Sequence, residues 1–175
     1  MRTNGASRFS TIIAAAVALT LARPASAAEG ARSVETAATR RVVVSIPDRK
    51  LALLENDQVV GIYPVAVGAS VSPSPVGTFT IVNRVSNPTY YKPGKIVGPG
   101  SANPIGTRWI GLSAKGYGIH GTDAPASIGF AKSHGCIRLR NEDVEQLFAR
   151  VRSGDVVELH AERTPEIAQL FGDVQ

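Results

Sequence analysis

One cysteine, Cys136, stands in 175 residues, so the chain cannot close a disulfide within itself. Histidine is almost as scarce: His120, His134 and His160 complete the set. No CxxC or HxxxH pair is present, and the H-x-C spacing of His134 and Cys136 is unusual for zinc. No metal and no cofactor is expected. Long apolar runs are also missing, apart from residues 11–21, which are too short to span a bilayer comfortably. Arg2 and Arg8 precede that run and Pro24, Ala25, Ser26 and Ala27 follow it. Residues 1–27 therefore read as a secretory signal peptide cut after Ala27 or Ala28. The expectation is an exported, periplasmic protein with no membrane span after cleavage. Beyond the cut, sixteen Lys and Arg face fourteen Asp and Glu. That excess is too small to argue for a nucleic-acid partner.

What remains is long enough to bury a core without disulfides. Residues 28–40, rich in Ala, Thr, Ser and charge, read as a flexible lead-in. Residues 41–160 read as one domain and 161–175 as a tail with a short helix. The β-branched run Val42, Val43, Val44 predicts a strand. Residues 51–55 and 59–63 flank Asn56 and Asp57 and predict a hairpin. Its second arm is expected to run on through 65–67, with Pro64 marking an edge or bulge. The run Pro73, Ser74, Pro75, Val76, Gly77 predicts a rigid turn into a strand at 78–82. Residues 86–108, rich in Pro, Gly, Asn and Tyr, predict a long irregular loop. Such a loop serves either as a binding wall or as a plain connection.

Short strands are expected at 109–112 and 117–120. Asn141 is the expected N-cap of a helix. Glu142, Asp143 and Glu145 suit its start, and Arg150 and Arg152 suit its end. Val144, Leu147, Phe148 and Val151 fall on one apolar face, and Gly154 is placed to end the helix. Residues 155–160 alternate like a closing strand, and Thr164 with Pro165 caps a short helix to Phe171. The class is mainly β, with one main helix and a short flanking one.

The chemistry concentrates in Ser133, His134, Gly135, Cys136, Ile137, Arg138, Leu139. Cys136 has three readings: a buried small hydrophobe, a metal ligand with His120 and His134, or a nucleophile. A nucleophilic thiol needs a base, and both His134 and His120 are candidates. His120 ends an expected strand and is placed to face Cys136 across the sheet. Backbone N–H groups of the glycine turn are suited to an oxyanion. These residues lead to acyl transfer by a cysteine–histidine pair and to no particular substrate. His160 reads as a strand-end or surface histidine.

Ile119-His120-Gly121-Thr122, Ser127-Ile128-Gly129 and the Ser133–Leu139 run together resemble the signature of the L,D-transpeptidases of the YkuD type. Tyr63 to Gly68, Ser74 to Gly77 and Asn103 to Gly106 match in order and spacing. The resemblance covers residues 41–160 and implies a sandwich-like β catalytic domain. It implies that Cys136 attacks the bond between a diamino acid and D-Ala in a peptidoglycan stem tetrapeptide, giving a thioester. An amine acceptor then resolves it, as a 3-3 cross-link or by attachment of an outer-membrane lipoprotein. It further implies His120 as the base, oriented by the Gly121 carbonyl, with His134 beside the thiol. The Gly135 and Cys136 N–H groups would serve the oxyanion. Ser133 supports the turn, Arg138 suits a substrate carboxylate or a salt bridge, and Tyr90, Tyr91 and Trp109 suit a cleft wall or core packing. Carbapenems are expected to acylate Cys136. The alternatives are a hydrolase using the same thiol, an L,D-carboxypeptidase or endopeptidase, and a non-catalytic wall-binding domain.

Overall fold

The computed structural model of the protein describes residues 39–172; the expected signal peptide and most of the lead-in lie outside them. The valine run forms β1 (Arg40–Ser45). The hairpin pairs β2 (Lys50–Glu55) with β3 (Gln58–Pro64). Asn56 and Asp57 both take positive φ, 50° and 60°. That is the two-residue turn whose twist matches the paired strands, and Asn and Asp tolerate it. The second arm stops at Pro64 and a separate short β4 (Val67–Gly68) follows.

The expected strand after Gly77 is longer than 78–82, running as β5 (Gly77–Ser86). The loop after it is not wholly irregular, since it carries a small hairpin of β6 (Tyr90–Lys92) and β7 (Lys95–Val97). Then come β8 (Arg108–Leu112), β9 (Gly118–His120), β10 (Ala131–Ser133) and β11 (Ile137–Arg138). The chain closes with α1 (Asn141–Arg150), β12 (Val156–His160) and α2 (Pro165–Phe171).

Eight strands form one sheet in the order β11-β9-β8-β5-β12-β1-β2-β3. Residues from both ends of that order, Leu51 and Leu53 with Ile119 and Ile137, share one buried cluster. The sheet must therefore curl until its ends meet. The bend falls in β5. Its first half pairs with β12 and its second half with β8, with a register shift between Ile81 and Asn83. Helix α1 fills the interior with Val144 and Leu147. On the other face, Val43, Ala52 and Leu54 are covered by Ile167 and Phe171 of α2. Strands β1 and β2 are thus buried on both sides, as their unbroken apolar runs require.

Three sequence expectations need correction around α1. Asn141 is not its cap; Arg140 occupies that place and offers no side-chain hydrogen bond. The Asn141 carboxamide is engaged elsewhere. The helix ends at Arg150, with Val151 at its C-terminal cap, so Arg152 is not in its last turn. Gly154 (φ 94°) serves the following turn, its N–H donating to Ile81 O at 2.8 Å. Phe148 shares the apolar stripe but is only partly buried, with the Arg84 guanidinium 4.1 Å above its ring. Thr164 caps α2 as expected, accepting from Ile167 N–H.

Candidate active site

The site lies at the β9–β11 end of the sheet. These two strands run parallel, pairing Ile119 with Ile137 and His120 with Arg138. Ile119 and Ile137 point into the core. Side chains alternate along a strand, so His120 and Arg138 turn to the opposite face, and Cys136 lies one step before Ile137 on that same side. Strand β8 sets Trp109 opposite His120. The result is a cleft of about 870 Å³ whose lining includes Tyr91, Trp109, His120, His134, Cys136 and Arg138. The structure thus gathers the expected side chains in one place. His160 is not among them; it ends β12 and pairs with Glu158 at 3.1 Å.

The thiol sits on a braced turn. Ser133 is buried; its hydroxyl donates to Cys136 O at 2.6 Å and accepts from Gly135 N–H at 3.0 Å. The Gly135 N–H, expected to face an oxyanion, is therefore held by Ser133. Gly135 has φ 108°, and a Cβ there would lie 2.6 Å from the Tyr117 ring and 3.1 Å from Pro73 O. Only glycine fits that approach. Behind it, Ser72 Oγ donates to Ser133 O and Gly68 N–H donates to Ser74 Oγ at 2.8 Å, so the proline-rich turn packs against the thiol turn.

His120 is only 4% exposed although it lines the cleft. Its Nδ1 lies 2.5 Å from Gly121 O. A carbonyl only accepts, so Nδ1 carries the proton and Nε2 holds the free lone pair. Burial pushes the imidazole pKa down to about 4; the Gly121 contact opposes this and the Arg138 charge adds to it. Burial likewise pushes the Cys136 thiol up, while the Gly118 backbone and Arg138 pull it partly back. At neutral pH both groups are therefore uncharged. The Arg138 Nε is buried with no hydrogen-bond partner. Among the described residues no carboxylate forms an ion pair with this side chain.

Two asparagines escaped the reading of function. Asn103 is fully buried; its amide donates to Pro88 O at 2.7 Å and Gly98 O at 3.1 Å, and its Oδ1 accepts from Ile105 N–H. It ties down both ends of the hairpin that walls the cleft. Asn141 accepts from Thr107 N–H and Thr122 N–H, both at 3.2 Å, and donates to Thr122 O. For Asn103 the only sequence signal was its place in the Asn103–Gly106 match; for Asn141 it was its place at the start of the helix.

Known proteins are similar to this chain in sequence and in fold. The family model for the L,D-transpeptidase catalytic domain, YkuD, matches residues 39–159. The protein named L,D-transpeptidase YkuD in Bacillus licheniformis is 43% identical over 119 residues, 68% of this chain and 64% of that one. The one named YcfS in Escherichia coli is 35% identical over 118 residues, 57% of this chain and 37% of its own length. The matches thus span less than two thirds of these relatives. In fold, an L,D-transpeptidase from Mycobacterium tuberculosis H37Rv superposes with a TM-score of 0.61 at 21% identity, over 70% of this chain and 58% of that one. The L,D-transpeptidase LdtMt1, solved in complex with imipenem, gives 0.59 at 21%, over 70% and 59%.

Proposed function

The chain belongs to the YkuD family of L,D-transpeptidase catalytic domains, and on that premise we propose that Cys136 is its nucleophile and His120 its base, acting on peptidoglycan stems. Cys136 Sγ attacks the carbonyl carbon between the diamino acid and D-Ala of a tetrapeptide donor. His120 Nε2 takes the thiol proton as the S–C bond forms. The same proton passes to the departing D-Ala amine when the C–N bond breaks, leaving a thioester. An amine acceptor then attacks, gives its proton to His120 and releases the thiol, making a 3-3 link.

The observation that carries this reading is the His120 Nδ1–Gly121 O contact, which leaves Nε2 basic in the cleft that Cys136 lines. A neutral thiol beside a neutral imidazole suits transfer during attack. With Gly135 N–H engaged, the Cys136 N–H is the turn donor assigned to the oxyanion. An anionic substrate suits the lining. No Asp or Glu occurs between Asp57 and Asp123, the cleft is lined by none, and Lys92 and Arg138 both face it. Arg138 is assigned to a stem carboxylate. Tyr91 and Trp109 line the wall, and His134, exposed, lies two residues before the thiol. The imipenem complex of a structural neighbour supports acylation of Cys136 by a carbapenem. Export to the periplasm through the signal peptide, and a lipoprotein as an alternative acceptor, complete the proposal.

Mass spectrometry of the protein with a disaccharide-tetrapeptide tests it, with Cys136→Ser as control. A cysteine-dependent dimer formed with loss of one D-Ala is expected. A cysteine-dependent tripeptide without dimer assigns the same thiol to hydrolysis, and no product with no carbapenem adduct leaves a wall-binding domain.

A further inference from the structure

The thiol and the imidazole are the visible parts of the site; what aims the imidazole lies one layer back. His120 Nδ1–H donates to the carbonyl of Gly121. That carbonyl belongs to the peptide unit joining Gly121 to Thr122. The N–H of the same unit donates to Asn141 Oδ1 at 3.2 Å. A peptide unit is planar, and its N–H and C=O point in opposite directions. Fixing the N–H on Asn141 therefore fixes where the carbonyl points, which is at His120.

The surrounding contacts leave this unit little freedom to rotate. Asn141 Nδ2 donates to Thr122 O at 3.2 Å, holding the next peptide unit. Gly121 N–H donates to Arg108 O at 3.2 Å, holding the previous one. Asn141 Oδ1 also accepts from Thr107 N–H, so the carboxamide joins two loops at the first residue of α1. The fit is close. A Cβ on Gly121, or on Gly106, would stand 2.1 Å from Asn141 Oδ1. Glycine at both places is what lets the carboxamide in, which accounts for Gly121 following His120 directly.

We propose that Asn141 is a positioning residue for His120: through the Gly121–Thr122 peptide it sets the imidazole's tautomer and orientation. Asn141 touches neither the reacting atoms nor, among the described contacts, the thiol. Its influence on the reaction rests on the reading of His120 as the base, but its influence on the ring does not. The carboxamide dipole and the peptide dipole line up, so each hydrogen bond in the relay strengthens the next.

Two variants and two measurements test this. Asn141→Ala removes both acceptor and donor. Asn141→Asp keeps an oxygen for the Thr122 and Thr107 N–H groups and suits a helix first turn, so it guards against a variant that merely fails to fold. The first readout is the ¹⁵N spectrum of His120, which reports which ring nitrogen carries the proton. The second is kcat and KM on the disaccharide-tetrapeptide.

The wild type is expected to show a proton fixed on Nδ1. Asn141→Ala should show a mixture of tautomers, with kcat reduced on the order of 10–100-fold and KM little changed. Asn141→Asp should recover the Nδ1–H form and most of kcat. An Asn141→Ala protein that keeps a single Nδ1–H tautomer overturns the proposal, whatever its activity. A mixture of tautomers with unchanged kcat upholds the positioning and instead overturns His120 as the base.

Discussion

Trp109 lies flat against His120, ring centroids 5.6 Å apart and planes inclined by 20°. The indole also covers Gly118, where a Cβ would meet it at 2.6 Å, and its Nε1–H is held by Asn83. Burial is the main cause of the low imidazole pKa. Trp109→Ala should admit water and move the His120 NMR titration from about 4 back toward 6.5. An inflection still near 4 would show that the sheet alone keeps the ring dry.

The same imidazole puts a slope on stability. Its folded pKa lies below the unfolded value, so between about 4 and 6.5 the unfolded chain binds more protons. Stability should therefore fall as pH drops through that window and this contribution should level off below it. Urea unfolding at several pH values checks the point, and His120→Gln should flatten the slope.

Arg138 acts on both the Cys136 thiol and the His120 imidazole at once. Its charge opposes the rise in the Cys136 pKa and adds to the fall in that of His120. Arg138→Gln should raise both. Iodoacetamide alkylation of the wild type should show an inflection above the usual thiol value, shifted higher still in the variant. An inflection below neutral would contradict a protonated resting thiol.

Ser133→Ala strips the Gly135 N–H and the Cys136 carbonyl of their common partner. A buried group left unpaired costs about 1–3 kcal/mol. The loss should appear in urea unfolding together with a lower kcat, because the thiol rides on this turn. A fully stable Ser133→Ala with reduced kcat would instead assign the hydroxyl to the reaction.

Asn103→Ala releases the ends of the β6–β7 hairpin. The expected effect is a several-fold higher KM with less change in kcat, and faster proteolysis within residues 86–100. Unchanged KM would mean that the hairpin stands without its anchor.

The sequence disclosed most where one residue type has one structural use. Asn56 and Asp57 announced their turn, the valine run its strand, and Thr164 with Pro165 their helix. The grouping of His120, Cys136 and Arg138 was legible through the family pattern, and strand alternation explains why they share a face. Asparagine misled because its carboxamide serves several ends. Asn141 stands where a cap is expected, yet tertiary contacts with Thr107 and Thr122 recruit its side chain. Asn103 sits in a loop that composition alone makes look irregular, and its partners are backbone groups that no side-chain pattern records. The curl of the sheet was equally hidden, because it depends on which strands β5 joins.

That curl determines how the molecule carries load. Within the sheet order β8, β9 and β11 connect to the rest through β5, which is joined to β12 by four register pairs, from Thr80–Val156 to Gly77–Leu159. The curl adds a second crossing, where Arg138 of β11 exchanges backbone hydrogen bonds with Ala66 just past β3. A tug on a polymer seated in the cleft would reach the far half of the sheet by both routes, as shear along the β5–β12 seam and through the Arg138–Ala66 bridge. The two crossings share the load, and the double-sided burial of β1 and β2 makes the half beyond them the anchor.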